Sequence, residues 1–217
     1  MIHLIILDFD GTLGDTRANI VLTMRQTLQR LGYPVAEEGE IASTIGLPLE
    51  EGFRQLLPGL AEDKVLKCAL TYRDIFEVNR NKLVPKLFPG VKETLSMLRE
   101  KGYVLTVASS RSSLSLNAFL GDMEIAEYVS YVLGADNVKM AKPHPEPVLR
   151  TMADLGYTAA ETLVVGDMPV DILMGKGAGT LTCGVTYGNS SREDLAASGA
   201  DFIIDGIGAL IDVLKDR

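Results

Sequence analysis

Short apolar runs recur along the chain, and each ends in small, acidic or hydroxyl residues. These runs lie at residues 2–7, 104–108, 129–133, 162–165, 181–185 and 201–204. They are apolar at nearly every position, which is typical of strands buried on both faces of a parallel sheet. The pattern therefore predicts a parallel sheet built from these segments.

Amphipathic segments separate the runs, and their apolar side chains recur at the spacing of a helix. Helices are predicted from Val91 to a stop at Lys101 and Gly102, over residues 147–155 and over residues 171–178. Strands that alternate with helices indicate an α/β fold with a doubly wound sheet.

Residues 16–82 break this alternation. Three helix-like segments follow one another there, at residues 17–31, 49–57 and 64–78, with no convincing strand between them. This pattern predicts an all-helical domain inserted after the first strand. We therefore expect a core formed by residues 1–15 and 83–217 and a second, helical domain at residues 16–82.

Composition narrows the class of protein. Apolar residues make up 47% of the 217 positions, which is enough for a full-sized core. A net charge of −8 argues against nucleic acid as a partner, because nucleic acid binding depends on clustered Lys and Arg. No apolar run approaches the ~18 residues of a membrane span, and the apolar start is too short for a signal peptide. With two isolated cysteines that we expect to be reduced, these features predict a cytoplasmic protein that does not bind membranes.

Polar side chains stand at the carboxyl ends of the predicted strands, where ligands bind in open parallel sheets. They are Asp8, Asp10, Ser109, Ser110, Asp167 and Asp171. Carboxylates gathered at one edge of a sheet repel one another strongly unless a cation lies among them. Oxygen ligands with bound water suit Mg²⁺, so the sequence predicts a magnesium site at this edge.

The same edge carries groups that suit phosphoryl transfer. Asp8 ends the first strand and is the candidate nucleophile, while Asp10 can act as general acid and then as general base. Lys142, in the loop before a predicted helix, adds a positive charge. Further groups that can bind the phosphoryl oxygens, as backbone N–H or hydroxyl donors, are expected at Gly11, Thr12, Ser109 and Ser110.

Four short motifs stand in a fixed order along the chain. They are Asp-Phe-Asp-Gly-Thr-Leu-Gly-Asp at residues 8–15, Ser109 after a strand, Lys142 in Lys-Pro-His-Pro, and Gly-Asp-Met-Pro-Val-Asp at residues 166–171. The set resembles the haloacid dehalogenase superfamily and covers essentially the whole chain. The resemblance implies a Rossmann-like core with a mobile helical cap at residues 16–82.

The resemblance also implies roles for individual residues. Mg²⁺ would be held by Asp8, Asp167 and the backbone carbonyl of Asp10, with Asp171 in the outer shell. Ser109 and Lys142 would bind the phosphoryl group. The founding dehalogenases typically lack the second Asp of the first motif, so Asp10 favours hydrolysis at phosphorus.

The resemblance leaves the substrate open. A phosphatase of phosphoglycolate or a sugar phosphate is the leading hypothesis, and a pyrophosphatase would use the same core. A mutase resembling β-phosphoglucomutase is less favoured, because its typical first motif, DxDGVxxDT followed by His, differs at Thr12 and Asn19. A receiver domain of a response regulator also forms a phosphoaspartate, but it is shorter and has no large helical insertion.

Two arginines are candidates for contact with the substrate. Arg111 follows the predicted phosphate-binding turn, and Arg54 lies in the insertion after a loop that resembles the substrate-facing loop of phosphoglycolate phosphatase-like caps. We expect a small phosphorylated metabolite as the partner, and the sequence leaves monomer and dimer equally open.

Overall fold

The computed structural model describes residues 1–80 and 85–215, and of Arg80 the backbone only. A parallel sheet of six strands forms its centre, in the order β5-β4-β1-β6-β7-β8. The strands in chain order are β1 (Leu4–Leu7), β2 (Gly14–Asp15), β3 (Lys86–Leu87), β4 (Val104–Ala108), β5 (Tyr131–Leu133), β6 (Thr162–Gly166), β7 (Leu181–Val185) and β8 (Phe202–Ile204). All six predicted strands are present, and the predicted α/β class is confirmed.

The helices fall into two groups. Those of the insertion are α1 (Arg17–Leu31), α2 (Glu38–Ala42), α3 (Leu49–Leu56) and α4 (Glu62–Arg80). Those of the core are α5 (Val91–Glu100), α6 (Ser113–Asp122), α7 (Glu146–Leu155), α8 (Pro169–Gly177), α9 (Arg192–Ala197) and α10 (Leu210–Val213). Helices α2, α6, α9 and α10 were not predicted, and three of these four are only four to six residues long.

Both faces of β1 are buried, which explains why its sequence does not alternate. Leu4 and Ile6 face one apolar cluster, together with Val148 of α7. Ile5 and Leu7 face the other cluster. Because β1 also has a strand on each side, its end lies at the middle of the sheet.

The insertion packs on the same side as the larger of these two clusters. Phe53, Tyr72 and Phe76 of the insertion belong to that cluster, as does Phe119 of α6. The rings of Phe76 and Phe119 meet edge to face, with centroids 6.1 Å apart. The insertion and the core therefore share one continuous apolar interior.

The chain passes between core and insertion twice, and these two segments lie side by side. Strand β2 pairs antiparallel with β3, with Gly14 opposite Leu87 and Asp15 opposite Lys86. The predicted boundary at residues 15 and 16 falls between β2 and α1. The other predicted boundary, at residues 82 and 83, lies outside the described residues, so the domain division stays a prediction.

Within residues 1–80 and 85–215, no helix is both long enough and apolar enough to cross a bilayer.

Candidate active site

The turn after β1 projects two carboxylates from the middle of the sheet. The carbonyl of Phe9 accepts hydrogen bonds from the N–H groups of Thr12, Leu13 and Gly14, at 3.3, 3.0 and 2.9 Å. Gly11 has φ +90°, and a Cβ there would lie 2.2 Å from Oδ2 of Asp167. This position therefore requires glycine, both for its backbone conformation and for the space beside Asp167.

Three acids from two neighbouring strands converge at this edge. Asp8 follows β1, Asp167 follows β6, and Asp171 lies in the first turn of α8. All three are buried, and one oxygen of each lies within 4.8 Å of the others. Gly166 makes this possible, because a Cβ there would lie 2.3 Å from the Cβ of Asp171.

Lys142 enters the cluster as its cation. Its Nζ donates a hydrogen bond to Oδ1 of Asp8 and another, at 2.7 Å, to Oδ1 of Asp171. Burial lowers the pKa of Lys142, but the neighbouring carboxylates of Asp171 and Asp8 outweigh it and raise that pKa above its usual value. Lys142 is therefore held as a buried ammonium ion.

Fully ionised, the three acids would carry more negative charge than one lysine balances. Burial raises the pKa of Asp8 well above its usual value, although Lys142 opposes this. Burial and the charge of Asp171 raise the pKa of Asp167 to about 7. Hydrogen bonds from Thr12 Oγ1 at 3.2 Å and from the backbone and side-chain N–H groups of Asn189 at 2.7 and 2.9 Å oppose that increase.

The cluster fits a divalent cation. Oδ2 of Asp8 is buried and has no hydrogen-bond partner. A buried acceptor without a partner is costly, and a cation bound there would remove the cost. The donors are carboxylate oxygens, which hard ions such as Mg²⁺ prefer. The charge, the donor type and the unpartnered oxygen therefore agree with the predicted magnesium site.

Asp10 lies apart from this cluster and forms an ion pair with Arg111. Arg111 donates from Nε to Oδ2 at 2.7 Å and from Nη2 to Oδ1 at 2.6 Å. Thr16, just before α1, donates to the same Oδ1 at 2.6 Å. Burial lowers the pKa of Arg111, but Asp10 outweighs that effect and raises it. The structure thus places Arg111, a candidate for substrate contact, on the proposed general acid.

Aromatic rings pack around Arg111. Its guanidinium carbon lies 4.7 Å from the ring centroid of Phe119, 4.9 Å from that of Phe76 and 6.0 Å from that of Phe9. Phe119 belongs to the core and Phe76 to the insertion. Contacts of this kind between a guanidinium and aromatic rings are attractive. Arg111 is therefore held by both parts of the molecule.

A cavity of about 480 Å³ opens between the insertion and the core. From the core its wall includes Asp10, Ser110, Arg111, Ser112, Ser115, Ala135 and Asp136. From the insertion it includes Ile20, Met24, residues 44–50, Gly52, Tyr72, Arg73, Phe76 and Glu77. Asp10, two residues after Asp8 of the acid cluster, thus lines a space large enough for a small organic molecule.

The predicted backbone donors for a phosphoryl group are largely engaged within the protein. The N–H of Gly11 donates to Gly14 and that of Thr12 to Phe9, because the turn after β1 closes on itself. The N–H of Ser109 donates to Leu133 at 3.0 Å, which continues the pairing of β4 with β5. These three amides have partners within the protein, and the role of their residues in phosphate binding stays a prediction.

The hydroxyls at these positions also have partners. Thr12 donates to Asp167, as described above, and Ser110 donates to the backbone carbonyl of Gly46 in the insertion at 2.6 Å. Ser109 accepts from the N–H of Arg111 at 3.2 Å and lies beside Lys142 in a small pocket. Ser109 and Lys142 therefore remain placed for phosphoryl binding.

Arg54 does not reach the cavity. It pairs with Glu51 at 2.9 Å and with Glu62 at 2.8 Å on the exposed side of α3, and it is not among the wall residues. Arg73 lies in the wall instead and pairs with Glu50 at 2.8 Å. The structure thus places Arg54, a candidate for substrate contact, outside the cavity wall, because α3 turns that side chain outward.

Sequence reasoning missed Asn189 and Thr16. Asn189 follows β7, so the rule that strand ends carry the site could have found it. Thr16 directly follows the first motif, but nothing in the sequence indicates that its hydroxyl contacts Asp10.

Comparison with known proteins agrees with this geometry. The family profile described as haloacid dehalogenase-like hydrolase matches residues 5–185. A Dickeya dadantii protein named "Probable phosphatase IndB" is 41% identical over 207 residues, covering 93% of this chain and 89% of its own. Pyrophosphatase PpaX of Anoxybacillus flavithermus is 33% identical, covering 98% and 97%. Phosphoglycolate phosphatase of Vibrio parahaemolyticus is 32% identical, covering 98% and 96%.

A solved structure supports the same relationship. A haloacid dehalogenase-like hydrolase from Bacteroides fragilis superposes with a TM-score of 0.92 at 29% identity, covering 97% of this chain and all of the other. Its fold is thus the fold found here, insertion included. From the family profile, the relatives and the shared fold, this chain belongs to the haloacid dehalogenase-like hydrolases and is a phosphatase-type enzyme of that family.

Proposed function

We propose that this enzyme hydrolyses a small phosphate monoester with the help of Mg²⁺, through an aspartyl phosphate on Asp8. One observation carries the proposal. Asp8 is buried against Lys142, with one oxygen unpartnered, and Asp10 stands two residues away at the entrance of a cavity. A nucleophile, a cation and a proton donor are thus adjacent to room for a substrate.

The residues that would hold Mg²⁺ are Asp8, Asp167 and the backbone carbonyl of Asp10, with Asp171 outside them. The ion supplies positive charge that neutralises the phosphoryl oxygens and the acids together. Lys142 adds a second positive charge at the same place, and Ser109 contributes a hydroxyl. Thr12 and Asn189 orient Asp167 by their hydrogen bonds.

The first step forms a bond between an oxygen of Asp8 and phosphorus and breaks the bond to the leaving oxygen. Asp10 gives its proton to that oxygen. In the second step a water oxygen bonds to phosphorus, the bond to Asp8 breaks, and Asp10 takes a proton from the water. Asp8 and Asp10 end each cycle as they began, and phosphate and an alcohol are released.

Arg111 and Thr16 position Asp10. Their hydrogen bonds fix the place of its side chain at the wall of the cavity. To give its proton to the leaving oxygen, the carboxyl group must turn toward the cavity.

The experiment measures phosphate release from p-nitrophenyl phosphate with and without Mg²⁺, with Asp8→Asn as the control. We expect release that requires both the ion and Asp8. Acid quenching with radiolabelled substrate should leave label on the wild-type protein and none on Asp8→Asn. A wild-type protein that is inert toward every monoester in a broad panel would contradict the proposal.

A pyrophosphatase remains a second candidate, because one relative carries that name. Pyrophosphate would place a second phosphate in the cavity where a monoester places its alcohol. The two candidates differ in the charge of the leaving group, so the charges of the cavity wall distinguish between them.

A further inference from the structure

The cavity wall contains more acids than bases, and its bases are already paired. Its acids are Asp10, Glu50, Glu77 and Asp136, and its bases are Arg73 and Arg111. Arg111 is bound to Asp10 and Arg73 to Glu50. Over residues 1–80 and 85–215, the wall thus contains no cation that is not already in an ion pair.

The rest of the wall is mostly apolar. The insertion contributes the side chains of Ile20, Met24, Ile45, Leu47, Leu49, Tyr72 and Phe76. One hydroxyl interrupts this surface, because Oγ of Ser115 is buried in the wall without a hydrogen-bond partner. An apolar surface with a few polar groups is typical of sites for small organic ligands.

The leaving group has to occupy this cavity if Asp10 is the general acid. Asp10 must touch the leaving oxygen to protonate it, and Asp10 is the wall residue nearest in sequence to Asp8. The atoms attached to that oxygen therefore extend into the space between Tyr72, Phe76 and the loop at residues 44–48. The chemistry of that space selects the substrate.

Resting on the proposed function, we infer that the substrate is a phosphate monoester whose leaving group is an uncharged alcohol with an apolar ring or chain. A volume of about 480 Å³ suits such a group. Its apolar part packs against the insertion, and a neutral polar atom can bond to Ser115. Phosphoglycolate and pyrophosphate would instead bring a second anion to a wall whose two described arginines, Arg73 and Arg111, are each already in an ion pair.

A second anion would be disfavoured for a physical reason. It would lose its hydration shell on entering the cavity, and the described arginines of the wall, Arg73 and Arg111, are already neutralised by Glu50 and Asp10. Breaking the pair between Arg73 and Glu50 could supply a cation, but that would leave Glu50 unbalanced. Juxtaposed like charges are a strong means of rejecting a ligand.

The test compares substrates in matched pairs that differ by one carboxylate. The pairs are 2-hydroxyethyl phosphate with phosphoglycolate, and phenyl phosphate with 4-carboxyphenyl phosphate; pyrophosphate is added. We expect kcat/KM to be about tenfold or more higher for the neutral member of each pair. Equal or higher values for the carboxylates, or a preference for pyrophosphate, would overturn the inference. Absence of phosphate release from every compound would instead contradict the proposed function.

Two variants of helix α3 sharpen the test. Glu50→Gln releases Arg73 into the cavity, so the preference for neutral substrates should fall by about tenfold. Glu51→Gln is the matched control, because Glu51 pairs with Arg54 outside the cavity and should leave the preference unchanged. A Glu50→Gln variant with the wild-type preference would contradict the assigned role of the wall charges. Thermal unfolding verifies that both variants are folded. The comparison of substrates with the wild-type enzyme tests the inference even without the variants.

Discussion

The acid cluster and the cavity share none of the described residues, and they are built by different means. The cluster takes its groups from strand ends and from the first turn of α8, and every described member is buried. The cavity takes most of its wall from helices and loops of the insertion, and its charged groups neutralise each other in pairs.

This difference separates the residues proposed to carry out the reaction from those that select the substrate. The cluster gathers three carboxyl groups around one lysine, which suits a metal ion and a phosphoryl group. In the wall of the cavity, both described arginines are already neutralised by acids. The same core can therefore serve many substrates, while the insertion decides which alcohol fits. Changes in the cluster should thus have large effects, and changes beyond the cavity should have small ones.

The largest effect is expected for Lys142→Met. This change removes the cation between Asp8 and Asp171, which remain buried with like charges. We expect the metal-free protein to lose about 3–5 kcal/mol of unfolding free energy, together with its activity. Chemical denaturation in the presence of a chelator measures the change.

A surface lysine provides the control for this variant. Lys92 pairs with Glu124 at 2.8 Å, where both side chains are exposed. Lys92→Met should leave the denaturation midpoint unchanged, because exposed pairs contribute little. Equal denaturation midpoints for Lys142→Met and Lys92→Met would show that the buried lysine contributes no more to stability than a lysine on the surface.

Asp10→Asn tests the boundary between the two regions. The amide cannot exchange a proton with the leaving group, so kcat should fall about 10²–10⁴-fold. Its backbone carbonyl is unchanged, and Mg²⁺ should still raise the unfolding midpoint as in the wild type. Steady-state kinetics and thermal unfolding with the ion measure the two quantities. A near-normal rate would exclude Asp10 from the mechanism.

The effect of pH on metal binding is smaller. Because the pKa of Asp167 is raised to about 7, the folded metal-free protein keeps a proton that the unfolded chain releases near pH 4. Its stability therefore falls as the pH rises through that window, and bound Mg²⁺ must displace the proton. We expect the stabilisation by Mg²⁺ to be about 2 kcal/mol greater at about pH 8 than at about pH 5.5. This difference corresponds to ~1.4 kcal/mol for each pH unit below 7. Equal stabilisation by Mg²⁺ at both pH values would contradict the expected protonation of Asp167.

The smallest effect is expected for Arg54→Ala. This arginine lies outside the cavity and pairs with exposed glutamates, so kcat/KM should stay within about twofold of the wild type for every substrate. A loss confined to carboxylated substrates would show instead that Arg54 reaches the leaving group.

The core was largely predictable from the sequence because strand ends of a parallel sheet must meet at one edge. Asp8 and Asp167 could be placed together once β1 and β6 were recognised as buried strands. The acid at position 171 followed from its place one turn into a helix. These inferences need only local pattern and the geometry of the sheet.

The cavity could not be predicted in the same way. Arg73 and Glu50 are 23 positions apart and meet only because α3 packs on α4. Arg54 was a candidate for substrate contact in the sequence, yet the orientation of α3 directs it to Glu51 and Glu62. The contact of Arg111 with Asp10 spans 101 positions, and the rings that pack on Arg111 come from α6 and α4. Such pairings are set by tertiary packing, which periodicity does not encode.

The position of Arg111 between Phe76 and Phe119 couples the two parts of the molecule. Phe76 belongs to α4 of the insertion, and Phe119 belongs to α6 of the core. Any displacement of α4 from the core would take one ring away from the guanidinium that binds Asp10. The place of the proposed proton donor thus depends on how the insertion packs, although Asp10 and Arg111 both lie outside the insertion.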